Sequence, residues 1–566
     1  MNSADFSNWF AALLPRLPLI GLLPCVLGAD LRFLDVSSES GVAFHHAASK
    51  QPPKFLVETM GAGVALIDYD GDGLWDLYFV NGADLSNVSE VKGPEKAAER
   101  FWNRLYKNLG DWRFEDVTGS AGVAGRGYGM GAAVADYDGD GDSDLFVTNF
   151  GPDLLYRNDG SGKFTEVSTA AGIRGGGWSA GAAFADFDND GHLDLFVAQY
   201  LEWSFGASKP CGEGRPDRLS YCHPREFGPV THRVYRNLGD GRFEDASVRM
   251  GIADHPGKGL GVALNDFDGD GWVDVFVAND SYPQQLFLNK RGARFEEVAI
   301  RLGAAYDAEG RDYAGMGVVW QDFDGDLRPD LLVNALGRQG YWLYRHLGDR
   351  FEPASELSGV AALSELRSGW GMGLVDFDND GWRDLLVGQG HVMDDIEHSD
   401  EALAHEEPIL LARNLFGRFF DVSSKAGPAF ERRLAARGVA FGDLDGDGRV
   451  DAVVNVNDGE ALILRNQSDA GHSITVRLEG AGLNRDAIGA SVRVRTEDGR
   501  EQHGFRASAG SYLSSNADDL HFGLGDSGRA ERVQVWWPNG STQAVSGQTS
   551  GLVVIRQPAA GSKASR

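Results

Sequence analysis

Short apolar runs separated by acidic, glycine-rich turns follow one another along most of the chain. Runs of small residues, such as GMGAAVA from Gly129 to Ala135, lead into these turns, and runs of larger apolar residues, such as LFVTN from Leu145 to Asn149, lead out of them. The 3.6-residue spacing of an amphipathic helix is absent over any comparable length. The pattern therefore predicts β-strands, and the small residues of the leading strands predict close packing around a central axis.

One nine-residue acidic word occurs seven times. It reads DYDGDGLWD from residue 68, DYDGDGDSD from 136, DFDNDGHLD from 186, DFDGDGWVD from 266, DFDGDLRPD from 322, DFDNDGWRD from 376 and DLDGDGRVD from 443. A second word resembling RFEDV begins at residues 32, 113, 163, 242, 294, 350 and 418, and a third resembling LYRN also occurs seven times. Successive acidic words begin 50 to 80 residues apart. The chain is therefore expected to contain seven repeat units, and internal repeats are typical of propellers and other arrays.

Units of this length have room for a four-stranded sheet, and one such sheet cannot bury both of its faces alone. Seven sheets arranged radially bury each face on a neighbour. The sequence therefore predicts an all-β fold, a seven-bladed β-propeller followed by a small all-β C-terminal domain. The first RFLDV word has no acidic word before it, so we expect the ring to close by pairing the segment from Arg32 with the LILRN segment of the last blade.

The acidic word DxDxDGxxD places carboxylates at positions 1, 3, 5 and 9, and its glycine permits the sharp reversal that directs them to one point. Calcium takes about six to eight oxygen ligands and tolerates irregular geometry, whereas magnesium demands a strict octahedron. We therefore predict up to seven Ca²⁺ sites. The predicted ligands are Asp68, Asp70, Asp72 and Asp76; Asp136, Asp138, Asp140 and Asp144; Asp186, Asp188, Asp190 and Asp194; Asp266, Asp268, Asp270 and Asp274; Asp322, Asp324, Asp326 and Asp330; Asp376, Asp378, Asp380 and Asp384; and Asp443, Asp445, Asp447 and Asp451.

The fifth word departs most from the pattern, because Leu327 replaces the glycine and Pro329 follows. An EF-hand is excluded, since position 12 carries an apolar residue such as Phe79 or Val147 and no helix flanks the loop. The alternative, solvated aspartate-rich turns without metal, leaves four carboxylates focused on one point with no counter-charge.

The chain has 53 Lys+Arg, 83 Asp+Glu and a formal net charge of −30. Seven Ca²⁺ would bring this charge to −16, so much of the acidity is assigned to the loops. A balance of this sign argues against a nucleic-acid partner, because phosphate backbones need clustered cations.

The N-terminal segment predicts export. An apolar run follows Arg16 and ends in the small pair Gly28-Ala29, so we expect a signal peptide over residues 1–29 and a secreted, periplasmic or cell-surface protein. The alternatives are an uncleaved anchor or a misassigned start. No other segment approaches the roughly 18 apolar residues of a membrane span.

After cleavage, Cys211 and Cys222 are the remaining cysteines. In an exported chain this pair is expected to form a disulfide that pins one loop. The alternatives are two free thiols or a zinc site completed by His223, for which no fourth ligand is evident.

The acidic loops with their RFEDV anchors resemble the FG-GAP/VCBS repeats of integrin-like propellers, and more closely those of the cartilage-acidic-protein-like secreted proteins. The segments GLNRDAIGASVRV from Gly482, RASAGSYLSSNADDLHFGLGD from Arg506 and VQVWWPNG from Val533 resemble the ASPIC/UnbV domain of that family. The resemblance implies a secreted or surface calcium-binding protein without established catalytic residues. The expected domains are the signal peptide 1–29, the propeller 30–466, the ASPIC/UnbV-like domain 467–556 and a flexible tail 557–566.

Three further groups of residues could carry chemistry. The word GDSG at Gly525 matches a serine-protease motif, which we attribute to chance because no His or Asp partner accompanies it. A His-rich acidic segment could line a ligand site at the mouth of the axis or be a solvated loop; it contains His391, Asp394, Asp395, Glu397, His398 and His405. Residues that match motifs of the C-terminal domain are expected to serve packing and turn salt bridges; they are Arg485, Asp486, Tyr512, His521 and Trp537.

The leading hypothesis is a non-enzymatic, exported, monomeric, calcium-stabilised scaffold that binds a protein or glycan. The competing hypothesis is a calcium-dependent propeller enzyme acting on carbohydrate, of the lyase or dehydratase type, with its chemistry in an axial pocket.

Overall fold

The apolar runs of the sequence form strands throughout the computed structural model, which describes residues 30–89, 92–212 and 219–558. The predicted signal peptide and most of the predicted tail lie outside the described residues. The strands of the seven repeats and their connections are β1 Phe33–Asp35, β2 Val64–Ile67, β3 Asp76–Phe79, β4 Arg104–Asn108, β5 Phe114–Asp116, β6 Tyr128–Ala135, β7 Asp144–Phe150, β8 Leu154–Asn158, β9 Phe164–Glu166, β10 Ser179–Ala185, β11 Asp194–Gln199, β12 Cys211–Gly212, β13 Leu219–Ser220, β14 Arg233–Asn237, β15 Phe243–Asp245, β16 Gly259–Asn265, β17 Asp274–Tyr282, β18 Gln285–Asn289, β19 Phe295–Glu297, β20 Tyr313–Ala314, β21 Val318–Gln321, β22 Asp330–Val333, β23 Trp342–His346, β24 Phe351–Pro353, β25 Gly369–Val375, β26 Asp384–Gln389, β27 Leu410–Asn414, β28 Phe419–Asp421, β29 Ala436–Gly442, β30 Asp451–Val456 and β31 Leu462–Asn466.

Twenty-eight of these strands form seven antiparallel four-stranded sheets, β20 adds a short fifth strand to one of them, and β12 and β13 form a separate two-stranded sheet. The strand orders are β2-β3-β4-β5, β6-β7-β8-β9, β10-β11-β14-β15, β16-β17-β18-β19, β21-β22-β23-β24, β25-β26-β27-β28 and β29-β30-β31-β1. The last order confirms the predicted closure, because β1 pairs with β31 in the register Phe33 to Asn466. The innermost strands β2, β6, β10, β16, β21, β25 and β29 contact one another in sequence, and β29 contacts β2. The ring is therefore closed, and the predicted seven-bladed β-propeller is confirmed.

A glycine five residues before each acidic word sets the spacing of the inner strands. A Cβ at Gly317 would lie 2.0 Å from the Trp370 carbonyl oxygen of the next blade, and one at Gly261 would lie 2.4 Å from that of Met316. The same position is glycine in every blade: Gly63, Gly131, Gly181, Gly261, Gly317, Gly371 and Gly438. Backbone thus packs directly on backbone around the axis, as the small residues of these strands predict.

Helices are short in the described part of the chain. The α-helices are α1 Thr118–Ala121, α2 Ala299–Leu302, α3 Ser355–Ser358, α4 Val360–Ser364 and α5 Ser423–Ala426, and the 3₁₀ helices are Leu56–Thr59, Glu99–Phe101, Pro224–Glu226, Ile252–Asp254, Ile396–His398 and Pro428–Glu431. None of the helices in the described ranges has the length and apolarity needed to cross a bilayer.

The C-terminal strands form two facing sheets, β35-β32-β38 and β34-β33-β36-β37. Their bounds are β32 His472–Glu479, β33 Ser491–Thr496, β34 Glu501–Phe505, β35 Leu520–Gly525, β36 Arg529–Trp536, β37 Thr542–Thr549 and β38 Gly551–Arg556. Ile474, Val492, Phe522 and Val533 are buried between the sheets, which gives this domain a hydrophobic core of its own. The predicted small all-β domain is thus present.

The segment between β34 and β35, residues 506–517, leaves the C-terminal domain and enters the propeller; we call it the axial strap. It accepts hydrogen bonds from the inner strands of five blades: Leu66 N to Ser515 O at 3.0 Å, Ala132 N to Leu513 O at 3.2 Å, Phe184 N to Ser508 Oγ at 2.7 Å, Met372 N to Ser511 Oγ at 3.0 Å and Phe441 N to Asn516 Oδ1 at 3.1 Å. A segment that contacts the inner strands of five blades must lie on the axis. The strap therefore fills the central channel.

The tip of the strap is fully buried. The Tyr512 ring packs edge-on against Trp370 with ring centroids 4.9 Å apart, and the Arg437 guanidinium lies 3.8 Å from the centroid of the same indole. Arg437 donates from Nε to the Thr59 carbonyl at 2.8 Å. This cation and two aromatic rings hold the strap at the end of the axis.

Candidate metal centres

The acidic words form turns between the first and second strands of each blade, all at one face of the propeller; we call them the acidic loops. In five of them the carboxylates of positions 1, 3 and 9 meet, with one oxygen from each within 4.8 Å of the others: Asp68, Asp70 and Asp76; Asp136, Asp138 and Asp144; Asp186, Asp188 and Asp194; Asp266, Asp268 and Asp274; and Asp322, Asp324 and Asp330. The structure thus brings together three of the four predicted ligands in each of these loops.

The same hydrogen bonds hold the carboxylates in the sixth and seventh loops. In the second loop, Asp144 Oδ2 accepts from Tyr137 N at 3.1 Å, and its Oδ1 accepts from Asn158 N at 2.7 Å. Asp384 accepts in the same way from Phe377 N and Asn414 N, as does Asp451 from Leu444 N and Asn466 N. Backbone amides therefore fix the position-9 carboxylate while leaving each oxygen a second lone pair for a metal.

Several inward carboxylate oxygens have no hydrogen-bond partner although they are buried. They are Asp68 Oδ1, Asp70 Oδ1, Asp138 Oδ1, Asp188 Oδ1 and Asp378 Oδ1. A buried charged oxygen without a partner is costly, because it has lost its hydration and gained nothing in return. These oxygens lie in the first, second, third and sixth loops, and four of the five are at position 3, so these residues fit a hard cation bound between the carboxylates.

The electrostatics of the loops agree with this geometry. Burial and the neighbouring carboxylates raise the pKa of Asp144 to about 9, and they raise the pKa of Asp76 and that of Asp330 to about 8. The protein alone therefore disfavours the fully ionised set, and a bound cation would restore it.

The position-5 aspartates lie further out. Asp190 Oδ1 accepts from His192 N at 3.0 Å, and its Oδ2 lies 2.8 Å from Arg236 Nη2. The Asp190 side chain is 30% exposed, compared with 15% for Asp188 of the same loop. In every loop the position-5 carboxylate closes the turn by accepting a hydrogen bond from the backbone amide of position 7. The position-5 residues are Asp72, Asp140, Asp190, Asp270, Asp326, Asp380 and Asp447.

The fifth loop keeps its geometry despite its divergent sequence. Leu327 adopts a left-handed φ of 71°, where the other words have glycine. Leu327 N still donates to Asp322 Oδ2 at 2.9 Å. The carboxylate triad is therefore formed at a backbone conformation that a leucine adopts with strain.

The asparagine of the LYRN word joins neighbouring blades, a role that the sequence reasoning missed. Asn237 Nδ2 donates to Leu193 O of its own acidic loop at 3.0 Å and to Tyr137 O of the preceding blade's loop at 2.8 Å. Equivalent bridges are made by Asn108, Asn158, Asn289, Asn414 and Asn466. The signal was present in the sequence, since this residue is asparagine in six of seven words and His346 in the other.

The remaining sequence candidates lie at the opposite face or in the C-terminal domain. Cys211 and Cys222 form a disulfide with Cα atoms 5.2 Å apart, which leaves no thiolates for the zinc alternative. His223 Nδ1 accepts from Arg225 N at 3.2 Å. Ser527 of the GDSG word donates to Arg529 O at 2.9 Å, and no histidine hydrogen bond to Ser527 occurs in the described residues.

The His-rich segment lies beside the end of the axis opposite the acidic loops. His405 Nδ1 lies 2.8 Å from His391 O, His391 N donates to His405 O at 2.8 Å, and burial lowers the pKa of His391 to about 4. His398 ends a 3₁₀ helix, Asp394 pairs with Lys54, and Asp395 accepts from Ser220 Oγ at 3.0 Å. The structure does not bring these groups together as one ligand set.

Motif residues of the C-terminal domain dock it onto the acidic-loop face. Asp486 Oδ2 accepts from Asp136 N at 2.8 Å, Arg485 Nε donates to Gly139 O at 2.8 Å, and His521 Nε2 lies 2.7 Å from Asn379 Oδ1. Trp537 is buried in the core of the domain and Tyr512 in the strap. Their contacts are those of packing and docking.

A closed ring of seven four-stranded sheets with a carboxylate cluster at the same turn of successive blades defines a repeat-built β-propeller with acidic loops. The FG-GAP-like repeat model matches residues 68–147, 136–197, 212–277, 266–333 and 322–387, and the ASPIC and UnbV model matches residues 480–561. The chain belongs to the FG-GAP-like repeat family and carries an ASPIC and UnbV domain.

Among curated proteins, the chain is similar to cartilage acidic protein 1. It is 32% identical to the protein from Xenopus tropicalis over 176 residues, covering 30% of this chain and 26% of that one, and 31% identical to the Homo sapiens protein over 178 residues, covering 30% and 25%. The match thus spans about a quarter of the length of these relatives. Among solved structures, an Agrocybe aegerita lectin described as recognising non-reducing terminal N-acetylglucosamine matches with 17% identity and a TM-score of 0.36, covering 64% of this chain and 81% of that one.

Proposed function

We propose that this chain is an exported, calcium-binding β-propeller scaffold that presents the face opposite its acidic loops to a protein or glycan ligand, outside the cell or at its surface. The observation that carries the proposal is the repeated carboxylate cluster with unpartnered, buried, inward oxygens. Calcium fits such a cluster better than magnesium, because it accepts several carboxylates in irregular geometry. Bound calcium would supply positive charge that holds each loop closed.

The proposed domain organisation follows the sequence: a signal peptide over 1–29, the propeller over 30–466, the ASPIC and UnbV domain over 467–556 and a tail over 557–566. The disulfide between Cys211 and Cys222 supports export, since disulfides persist in oxidising compartments. We propose that the chain acts as a monomer.

The proposed ligand-binding face carries the longest connections. The acidic loops join the first and second strands of each blade, whereas the segments 81–103, 201–232 and 390–409 join second and third strands and so lie at the other end. Around the disulfide-pinned segment, the half-buried rings of Phe150 and Phe205 pack at 5.1 Å from the buried Trp203. Half-buried aromatic rings among polar loops are typical of surfaces that bind glycans or proteins.

The axial strap argues against the competing hypothesis. A carbohydrate lyase or dehydratase with its chemistry in the axis needs an open pocket there. In this chain, residues 506–517 fill the channel and hydrogen bond to five blades. The scaffold function is therefore the one that the geometry supports better.

Metal counting with thermal unfolding of the exported chain tests the calcium proposal. Each independent site that binds only the folded state should add about 2.7 kcal/mol at a hundredfold excess of calcium over its Kd. We expect about six or seven Ca²⁺ per chain and a large, reversible fall of Tm in EDTA. An absence of bound metal, with an unchanged Tm, would contradict it.

A glycan array tests the binding face. We expect Phe205→Ala to reduce binding. Phe416→Ala is the matched control, because Phe416 is 72% exposed in a turn at the acidic-loop face. Equal losses from both variants would contradict the assignment of the face, and binding to neither glycans nor matrix proteins would contradict the ligand class.

A further inference from the structure

A basic side chain reaches the acidic loop of its own blade from the third strand. The third residue of the LYRN word is Lys or Arg in six blades: Lys107, Arg157, Arg236, Arg345, Arg413 and Arg465. In the third blade, Arg236 Nε lies 2.5 Å from Asp188 Oδ2, and its Nη2 lies 2.8 Å from Asp190 Oδ2. One guanidinium therefore bridges positions 3 and 5 of the acidic word.

The contact repeats with the same atoms. The basic side chain meets the Oδ2 atoms of positions 3 and 5 in the first, third, fifth, sixth and seventh blades. The Oδ1 atoms of Asp70, Asp188 and Asp378 stay without a hydrogen bond on the inner side. A cation of the protein thus neutralises the outer oxygens while the inner ones stay free for a metal.

The second and fourth blades are different. In the second blade, within the described ranges, exposed Arg157 lies beyond ion-pair distance of its loop, although its charge opposes the rise in the pKa of Asp138. In the fourth blade, Leu288 stands where the other blades have Lys or Arg, and its side chain is buried. Within the described ranges, no basic side chain lies within ion-pair distance of Asp266, Asp268, Asp270 or Asp274, although the charge of Arg291, in the turn after β18, opposes the rise in the pKa of Asp270. This loop has the same carboxylate triad as its neighbours but no basic side chain from its own third strand.

We propose that the basic residue of the LYRN word is a built-in counter-ion that stabilises its loop without metal and lowers its calcium affinity, and that the fourth loop, with Leu288, is the tightest calcium site of the chain. The inference rests on the proposed calcium binding. Even at the dielectric of bulk water, a unit charge about 6 Å from a divalent ion changes a binding constant on the order of tenfold. Without metal, the same charge removes the repulsion between two carboxylates.

Two reciprocal substitutions test the proposal in the full exported chain. We expect Arg236→Met to lower Tm in EDTA and to raise the calcium affinity of one site on the order of tenfold. We expect Leu288→Arg to weaken the tightest site in a calorimetric calcium titration, and its Tm is not compared because Leu288 packs in a hydrophobic core. Arg236→Lys, which keeps the charge, is expected to rescue most of both effects.

Arg301→Met is the matched control, because Arg301 pairs with Glu296 at 3.5 Å on an exposed surface away from the loops. Weaker calcium binding by Arg236→Met, with an unchanged metal-free Tm, would overturn the proposal and make Arg236 a positioning residue. A tightest site unaffected by Leu288→Arg would also overturn it. Failure of the proposed calcium binding is distinguishable, since the unmodified chain would then give no calcium heat.

Discussion

The asparagine bridges between blades predict that Asn237→Ala lowers the free energy of unfolding. The Asn237 side chain is 1% exposed, and its Nδ2 donates to the carbonyls of Tyr137 and Leu193, which belong to two different blades. Alanine leaves both buried acceptors without this donor, and each such loss costs about 1 to 3 kcal/mol. We therefore expect the free energy of unfolding to fall by about 3 to 4 kcal/mol.

Urea unfolding at saturating calcium measures this change from the midpoint and the slope. Asn87→Ala is the control, since Asn87 is exposed and its amide donates to Ser86 Oγ at 3.2 Å. We expect the control to change stability by less than about 0.5 kcal/mol. A loss below about 1 kcal/mol for Asn237→Ala would refute the reasoning, because it would mean that water satisfies the two carbonyls.

Three further predictions concern the strap, a buried acid and the disulfide. Tyr512→Ala should cost about 3 to 5 kcal/mol and increase proteolytic release of the C-terminal domain, whereas Trp536→Ala, on an exposed strand position, should not. Burial raises the pKa of Glu58 to about 7. The contribution of Glu58 to stability is therefore present below about pH 4.5 and is lost as pH rises through 7. Glu58→Gln should remove about 3 kcal/mol of the change in the free energy of unfolding between pH 5 and 8. Replacing both Cys211 and Cys222 by Ser should speed proteolysis within that connection and lower the free energy of unfolding by at most about 3 kcal/mol, because the bridge closes a short loop.

Local patterns predicted the architecture well because each blade is built from contacts that repeat. The seven acidic words, the small residues before them and the unpaired first RFLDV word all describe short-range pairing within a blade or between its neighbours. The closure of β1 on β31 and the seven sheets follow from that periodicity alone.

The axial strap could not be predicted, because it is a single long-range feature. Ser508, Ser511, Leu513 and Ser515 lie in a segment with no repeat partner, and their hydrogen bonds reach residues more than 70 positions away. Nothing in the local pattern distinguishes this segment from a surface loop. The small inner-strand residues were an incomplete clue, since they predict a narrow axis but not what fills it.

The acidic loops would connect the proposed calcium binding to the assembly of the whole chain. Six of the seven loops are tied to the preceding blade by the LYRN asparagine, so the closing of such a loop also strengthens the contact between two blades. The C-terminal domain docks on the same loops, where Asp486 accepts from Asp136 N and Ser473 Oγ donates to Gly448 O at 2.8 Å. That domain also supplies the axial strap. The acidic loops, the closed ring of blades and the filled central channel therefore depend on one another. The proposed ligand-binding face at the far end of the propeller would therefore be held in shape by the calcium ions proposed at the near end.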